Sequence, residues 1–157
     1  MPPPKLSLQF GADKRHCFVD VRIARSANGN IDIFLRSELL QGAFEGEILH
    51  EFAFSILVVG DENGEPPFET QMREIATRYI PPEIRRDIMP IVCDSLAMLL
   101  SFVNPRRLYR VTKSAGLPAK ALAKHEMLSQ ACVKAGYRIV DSGIDPMGRN
   151  YWDMLRT

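Results

Sequence analysis

Two alternating runs joined by a short turn restrict this chain more than any other feature in it. In HCFVDVRIARS (16–26), Cys17, Val19, Val21 and Ile23 fall on one side of an extended backbone, and Asp20, Arg22 and Ala24 on the other. That period of two is what a strand with one buried face imposes. NIDIFLRS (30–37) repeats it with Ile31, Ile33 and Leu35. Parity then constrains the turn. A two-residue loop at Asn28-Gly29 would set Ile23 opposite Phe34 and point the two apolar sets in opposite directions. A three-residue loop, Ala27-Asn28-Gly29, pairs Ile23 with Ile33 and Val21 with Leu35, and gives Gly29 the left-handed position such loops favour. On the outer face Asp20 meets Arg36 and Arg22 lies across from Phe34, each pair contributing ~0.2–1 kcal/mol.

The rest of the chain reads in order from this hairpin. MPPPK is a frayed lead-in, because three prolines suit neither a helix nor a central strand, and LSLQF suits a short first strand. ELLQGAFEGEILHEF is polar and broken by glycine, which predicts a loop or a short strained strand. Residues 50–59, rich in Phe, Ile and Val and stopped by GDENGEPP, predict a central strand buried on both faces. Phe68, Met72, Ile75, Ala76 and Tyr79 then draw an apolar stripe at helical spacing, ended by Pro81-Pro82. A second helix over 83–103 is apolar almost all round in IVCDSLAMLLSFV, with a kink or break expected at Pro90. RRLYRVTKS carries both helix and strand signals, and a strand over 107–113 is the preferred reading. Pro118 and Gly136 bracket the clearest helix, 118–135. Residues 137–141 and 151–155 close the chain as a hairpin around GIDPMGRN. The expectation is one α+β domain over 1–157, with an antiparallel or mixed sheet, an N-terminal hairpin, two central helices, one C-terminal helix and a closing hairpin.

A chain of 157 residues holds one domain with a real core. Its three cysteines, Cys17, Cys93 and Cys132, form no CxxC pair, which argues against a disulfide framework or a zinc knuckle and suits a reducing compartment. MPPPKLSLQF has no apolar run long enough for a signal peptide or a membrane span, so a soluble cytoplasmic protein is expected. No GxxxxGK[ST], GxGxxG or HExxH occurs. His16 and Cys17 point to opposite faces of a strand and make no metal spacing with His50. On the 118–135 helix Ala121, His125, Leu128, Cys132 and Ala135 share a face. His125 and Cys132 lie roughly 10 Å apart along the axis, too far to act as a nucleophile pair. Glu45, Glu47 and Glu51 read as a solvated acidic loop. No cofactor or metal site, and no complete catalytic set, is expected.

Charge is the strongest functional hint. Ser37 to Thr70 holds eight acids and no Lys or Arg, whereas Arg106 to Arg138 holds eight basic residues and one acid, Glu126. Segments so segregated either create opposed surface potentials or neutralise each other by packing side by side. Arg106, Arg107, Arg110, Lys113, Lys120 and Lys124, with Arg149 on the closing turn, are candidate contacts to an anionic partner, nucleic acid or acidic protein. Tyr151 and Trp152 are candidate interface residues for a homodimer. The leading expectation is a non-catalytic binding or regulatory module with a basic C-terminal surface. The alternatives are an acyltransferase and a structural homodimeric domain.

Two family resemblances bear on that choice. The order strand, helices, strand, helix, strand, strand from residue 50 onward, with KAGYRIVDSG…YWDM, resembles the C-terminal half of GNAT-type N-acyltransferases. That resemblance implies acetyl-CoA and an amine substrate. The family holds the cofactor pyrophosphate on a Q/RxxGxG/A loop opening the central helix, where this chain reads RYIPPEIRRD, without glycine. SAGLPAKAL followed by KAGYRIVDSGIDPMGRNYW is similar to a winged helix-turn-helix. That similarity implies duplex DNA and contacts from Lys120, Lys124 and Arg149, and it needs 107–113 to be helical.

Overall fold

The structure, a computed structural model, describes residues 7–10, 15–27, 29–60, 68–70 and 80–157. β1 (Ser7–Phe10), β2 (His16–Arg25) and β3 (Asp32–Phe44) pair antiparallel in sequence order. Val21 lies opposite Leu35, Arg22 opposite Phe34 and Asp20 opposite Arg36, all as the alternation predicts. The Arg36 guanidinium donates twice to the Asp20 carboxylate, at 2.8 and 2.9 Å. One pairing differs. The register shifts between Arg22 and Ala24, so Ala24 rather than Ile23 faces Ile33. The turn is correspondingly longer, closed where the Ser26 N–H donates to the Ile31 carbonyl at 2.8 Å. A bulge at Ile23 absorbs the odd residue, and both Ile23 and Ile33 remain buried. Gly29 takes the expected left-handed conformation, φ 75°; Asn28 lies outside the described residues.

β3 continues to Phe44, turns at Glu45-Gly46 and returns as β4 (Glu47–Val59). The expected loop over these residues is therefore a regular hairpin. Glu45 and Gly46 both have positive φ, 50° and 78°, the geometry of a tight two-residue turn. Residues 40–48 are exposed on both faces. With no buried side the sequence has no alternation to show. Along the rest of β4, Phe52, Ser55 and Val58 are buried and their neighbours are half-buried, so both faces are covered in part.

Phe68 to Thr70 form β5, paired with Ile56 to Val58 of β4. This corrects the helix expected to begin at Phe68, because pairing with β4 holds these residues extended. The remaining stripe residues, 71–79, lie outside the described residues. The helix expected over 83–103 is divided into α1 (Pro82–Arg85) and α2 (Ile88–Val103). The break falls at Arg86-Asp87, ahead of Pro90, and leaves Pro90 in the first turn of α2. There its missing N–H forfeits no bond, the first i→i−4 donor being Ile91 to the Asp87 carbonyl. α2 buries Met89, Val92, Leu96, Leu99 and Leu100 and packs on β2 and β3. Asn104, at φ 52° and ψ 52°, stops it in the left-handed conformation.

β6 (Arg107–Val111) is a strand, as preferred, and runs parallel to β4. α3 (Ala119–Lys134) follows, then β7 (Tyr137–Ile144) and β8 (Asn150–Arg156) as the closing hairpin. The sheet is mixed, in the order β1-β2-β3-β4-β6-β8-β7, with β5 paired to β4 off that path. The fold is α+β, as expected. Among the described residues no helix is long and apolar enough to cross a membrane.

Candidate functional site at the split between β4 and β6

The one parallel contact of the described sheet is short. His50 faces Leu108 and Glu51 faces Tyr109, and there the ladder ends although both strands run on. A cavity of about 70 Å³ occupies the space beyond. It is lined by Phe52, Ala53 and Phe54 of β4, residues 110–113 after the split, and His125 and Leu128 of α3. Places where the carboxyl ends of parallel strands part are the usual ligand crevices of open sheets. A space of this size holds several water molecules or a short acyl or carboxylate group.

Alternation along β6 sends Leu108, Arg110 and Thr112 inward, all three buried. Arg110, 2% exposed, was expected on a basic surface and is instead a buried cation. Its Nη2 donates to the His125 carbonyl at 3.3 Å and to Ser129 Oγ. Its guanidinium carbon lies 4.6 Å from the ring centre of Trp152, its cross-strand partner, a cation–π contact. His125 stacks on the same indole, centroids 5.3 Å apart and planes at 11°. Arg110 Nε and Nη1 and His125 Nδ1 are buried with no hydrogen-bond partner among the described residues. Burial, then the neighbouring Arg110 charge, pushes the His125 imidazole down to about 4, so it is neutral near pH 7. Burial also lowers the pKa of Arg110, though a guanidinium stays charged at neutral pH. Thr112 fixes the end of β6, its Oγ1 accepting from the Asn150 N–H at 3.0 Å.

The other sequence candidates are dispersed. Arg107 donates to both carboxylate oxygens of Asp153, at 2.9 and 2.5 Å, and to Glu47 at 2.8 Å. Asp153 first, and Glu47 after it, hold its guanidinium more firmly protonated. Arg149 donates to Asp145 at 2.9 Å. The same carboxylate accepts from the Met147 and Arg149 N–H groups, which makes Arg149 part of the turn. Hydrogen bonding from the Arg149 and Met147 amides and from the Arg149 side chain depresses the Asp145 pKa. Arg106, Lys113, Lys120 and Lys124 are exposed, and Lys113 borders the cavity. The Tyr151 hydroxyl donates to Asp141 at 3.0 Å and its ring stacks on Tyr109. Trp152 is half-buried against Arg110 and His125. Glu47, read as part of a solvated loop, is tied to a strand by Arg107. The described residues contain no cluster of three metal-ligating side chains.

The thioester end of an acyl-CoA fits the split in size and in its mixed apolar and polar lining. The phosphate end does not fit the start of α2. A helix N-terminus binds phosphate through free N–H groups. Here Pro90 has none, the Asp87 carboxylate stands at the cap, and no glycine lets a ligand approach.

No family model matches the chain, and no curated protein sequence matches it. Among solved structures it is similar to spermidine N-acetyltransferase SpeG from Vibrio cholerae in several engineered forms. A point mutant gives a TM-score of 0.44 at 14% identity, covering 91% of this chain and 64% of that one. Two chimeras of the same enzyme with hSSAT give 0.43 at 14% identity, with 91% and 68% covered, and 0.43 at 15%, with 91% and 66% covered. The chain spans about two thirds of the length of those enzymes.

Two expectations are corrected. The non-catalytic module with a basic C-terminal face is corrected: Arg110 is buried, and Arg107 and Arg149 are engaged by carboxylates. The winged helix-turn-helix reading fails because Arg107–Val111 is a strand between β4 and β8.

Sequence reasoning missed Arg110 as an interior group. The signal was present, since reading RLYRVT as a strand puts Arg110 on the same side as Leu108 and Thr112. His125 was visible on the packed face of its helix. Its neighbours, Trp152 and Arg110, come from β8 and β6, and no spacing within α3 encodes them.

Proposed function

We propose that the chain is a GNAT-like acyltransferase whose acyl group lodges in the split between β4 and β6. The observation that carries this reading is the parting of the two parallel strands after Glu51 and Tyr109, with a cavity lined by both. The reaction class is amide formation, in which an amine nitrogen replaces sulfur at the thioester carbonyl, the amine loses a proton and the sulfur leaves as a thiol. Phe52, Phe54 and Leu128 supply an apolar wall for a short acyl chain, and Thr112 and Lys113 a polar one. The chain's own part in this reading is to bind and orient the acyl group and to shield it from water.

Among the described residues the start of α2 offers no phosphate cradle, and this reading puts the grip on the acyl end and its amide-rich arm. Acetyl-pantetheine should therefore raise the thermal midpoint about as much as acetyl-CoA at equal concentration. Thiol release on adding an amine is the activity measurement. A midpoint unmoved by either thioester at millimolar concentration removes the proposal.

A further inference from the structure

We infer that Arg110 is the anchor of a carboxylate site inside this cavity, and that the carboxylate is the handle of an amino-acid acceptor. The second part rests on the acyltransferase reading; the first does not. Arg110 is 2% exposed and forms no ion pair among the described residues, although burying a cation is costly unless a counter-charge accompanies it. Arg107, three residues earlier and more exposed, has two carboxylates. The nearest compensations for Arg110 are the indole face of Trp152, the His125 carbonyl and Ser129 Oγ. They leave Nε and Nη1 without acceptors. His125 lines the same cavity with Nδ1 unpartnered, and in the tautomer that protonates Nδ1 it adds a donor. Three nitrogens of one donor cluster, without partners among the described residues, thus belong to two residues that line the cavity.

The cavity selects among anions. A guanidinium matches the planar carboxylate. The aromatic and aliphatic wall of Phe52, Phe54 and Leu128 disfavours a dianion such as phosphate and accepts a short hydrocarbon tail. A short monocarboxylate satisfies both ends. It reaches the protein either as a free acid or as the carboxylate of an amino acid.

The experiment titrates the full chain with sodium propionate, L-alanine and inorganic phosphate, each against sodium chloride at matched ionic strength. It reads the thermal midpoint and the Arg110 Nε–H signal by NMR. At a hundredfold excess over Kd, propionate should raise the midpoint by roughly 5–10 °C and move the Nε–H signal to saturation. Alanine should do the same. Arg110→Met removes the charge and keeps an unbranched chain, so its unliganded midpoint should equal or exceed that of the wild type, with the propionate response gone. Arg110→Lys should weaken binding about tenfold, because it keeps the charge without the planar fork.

A propionate effect no larger than chloride, or one that survives in Arg110→Met, overturns the site. Phosphate binding ahead of propionate overturns the carboxylate assignment. Propionate binding without alanine overturns the acceptor assignment. If Arg110→Met does not fold, the wild-type Nε–H titration decides alone. These titrations contain no thioester, so failure of the acyl-transfer reading and failure of the carboxylate site are read separately.

Discussion

His125 shows how one side chain can make stability depend on pH. Burial and the Arg110 charge hold its pKa near 4, against an ordinary value of 6.5. As pH falls, the unfolded chain takes up the proton first. The stability contributed by the neutral ring is complete above about pH 6.5 and is lost as pH falls from there towards 4. His125→Phe keeps a ring on Trp152 and cannot titrate, so the urea midpoint should fall less steeply over that window than in the wild type. An identical slope would show that His125 does not set it. Arg107 makes the complementary case. Asp153 is 8% exposed, sits opposite Tyr109 in the β6–β8 ladder and accepts from Arg107 on the diagonal. Arg107→Ala strands that carboxylate and should cost about 2–3 kcal/mol in urea unfolding, somewhat less than a fully buried pair. A change below about 0.5 kcal/mol would class the pair with ordinary surface salt bridges.

Elements behave according to what their residues touch. In α2, Leu96 is fully buried and Pro90 exposed. Leu96→Ala should cost about 2–5 kcal/mol through lost contacts and the cavity left behind. Pro90→Ala should stay within about 1 kcal/mol, because the break at Arg86-Asp87 places the proline where no helical bond is at stake. Both are read from chemical denaturation. A large loss at Pro90 would mean that the helix continues through the break. In the β2–β3 hairpin the alternation of Val19, Val21, Ile33 and Leu35 was legible because one face is buried throughout. The bulge at Ile23 was not, since either register keeps the same residues inside.

Across the whole molecule, protection should follow the core. Amides of β2 and β3 packed under α2 should exchange with solvent at the rate of global unfolding. Those of 40–48, at the exposed end of the β3–β4 hairpin, should exchange far faster. Hydrogen exchange measured by NMR checks this, and uniform protection along β3 would contradict it. The sequence by itself determined the elements whose faces differ: the first hairpin, the helix between Pro118 and Gly136 and the closing hairpin. It also determined the α+β class, because period two and helical spacing are written locally. It could not tell a surface arginine from a buried one, since Arg110 takes its environment from Trp152, His125 and Ser129 on two other elements. Nor could it place the split. That depends on β4 and β6, separated in the chain by β5, α1 and α2, meeting for two residue pairs and then parting. Only the tertiary structure decides this, because parallel pairing joins segments far apart in sequence and leaves no short-range signal.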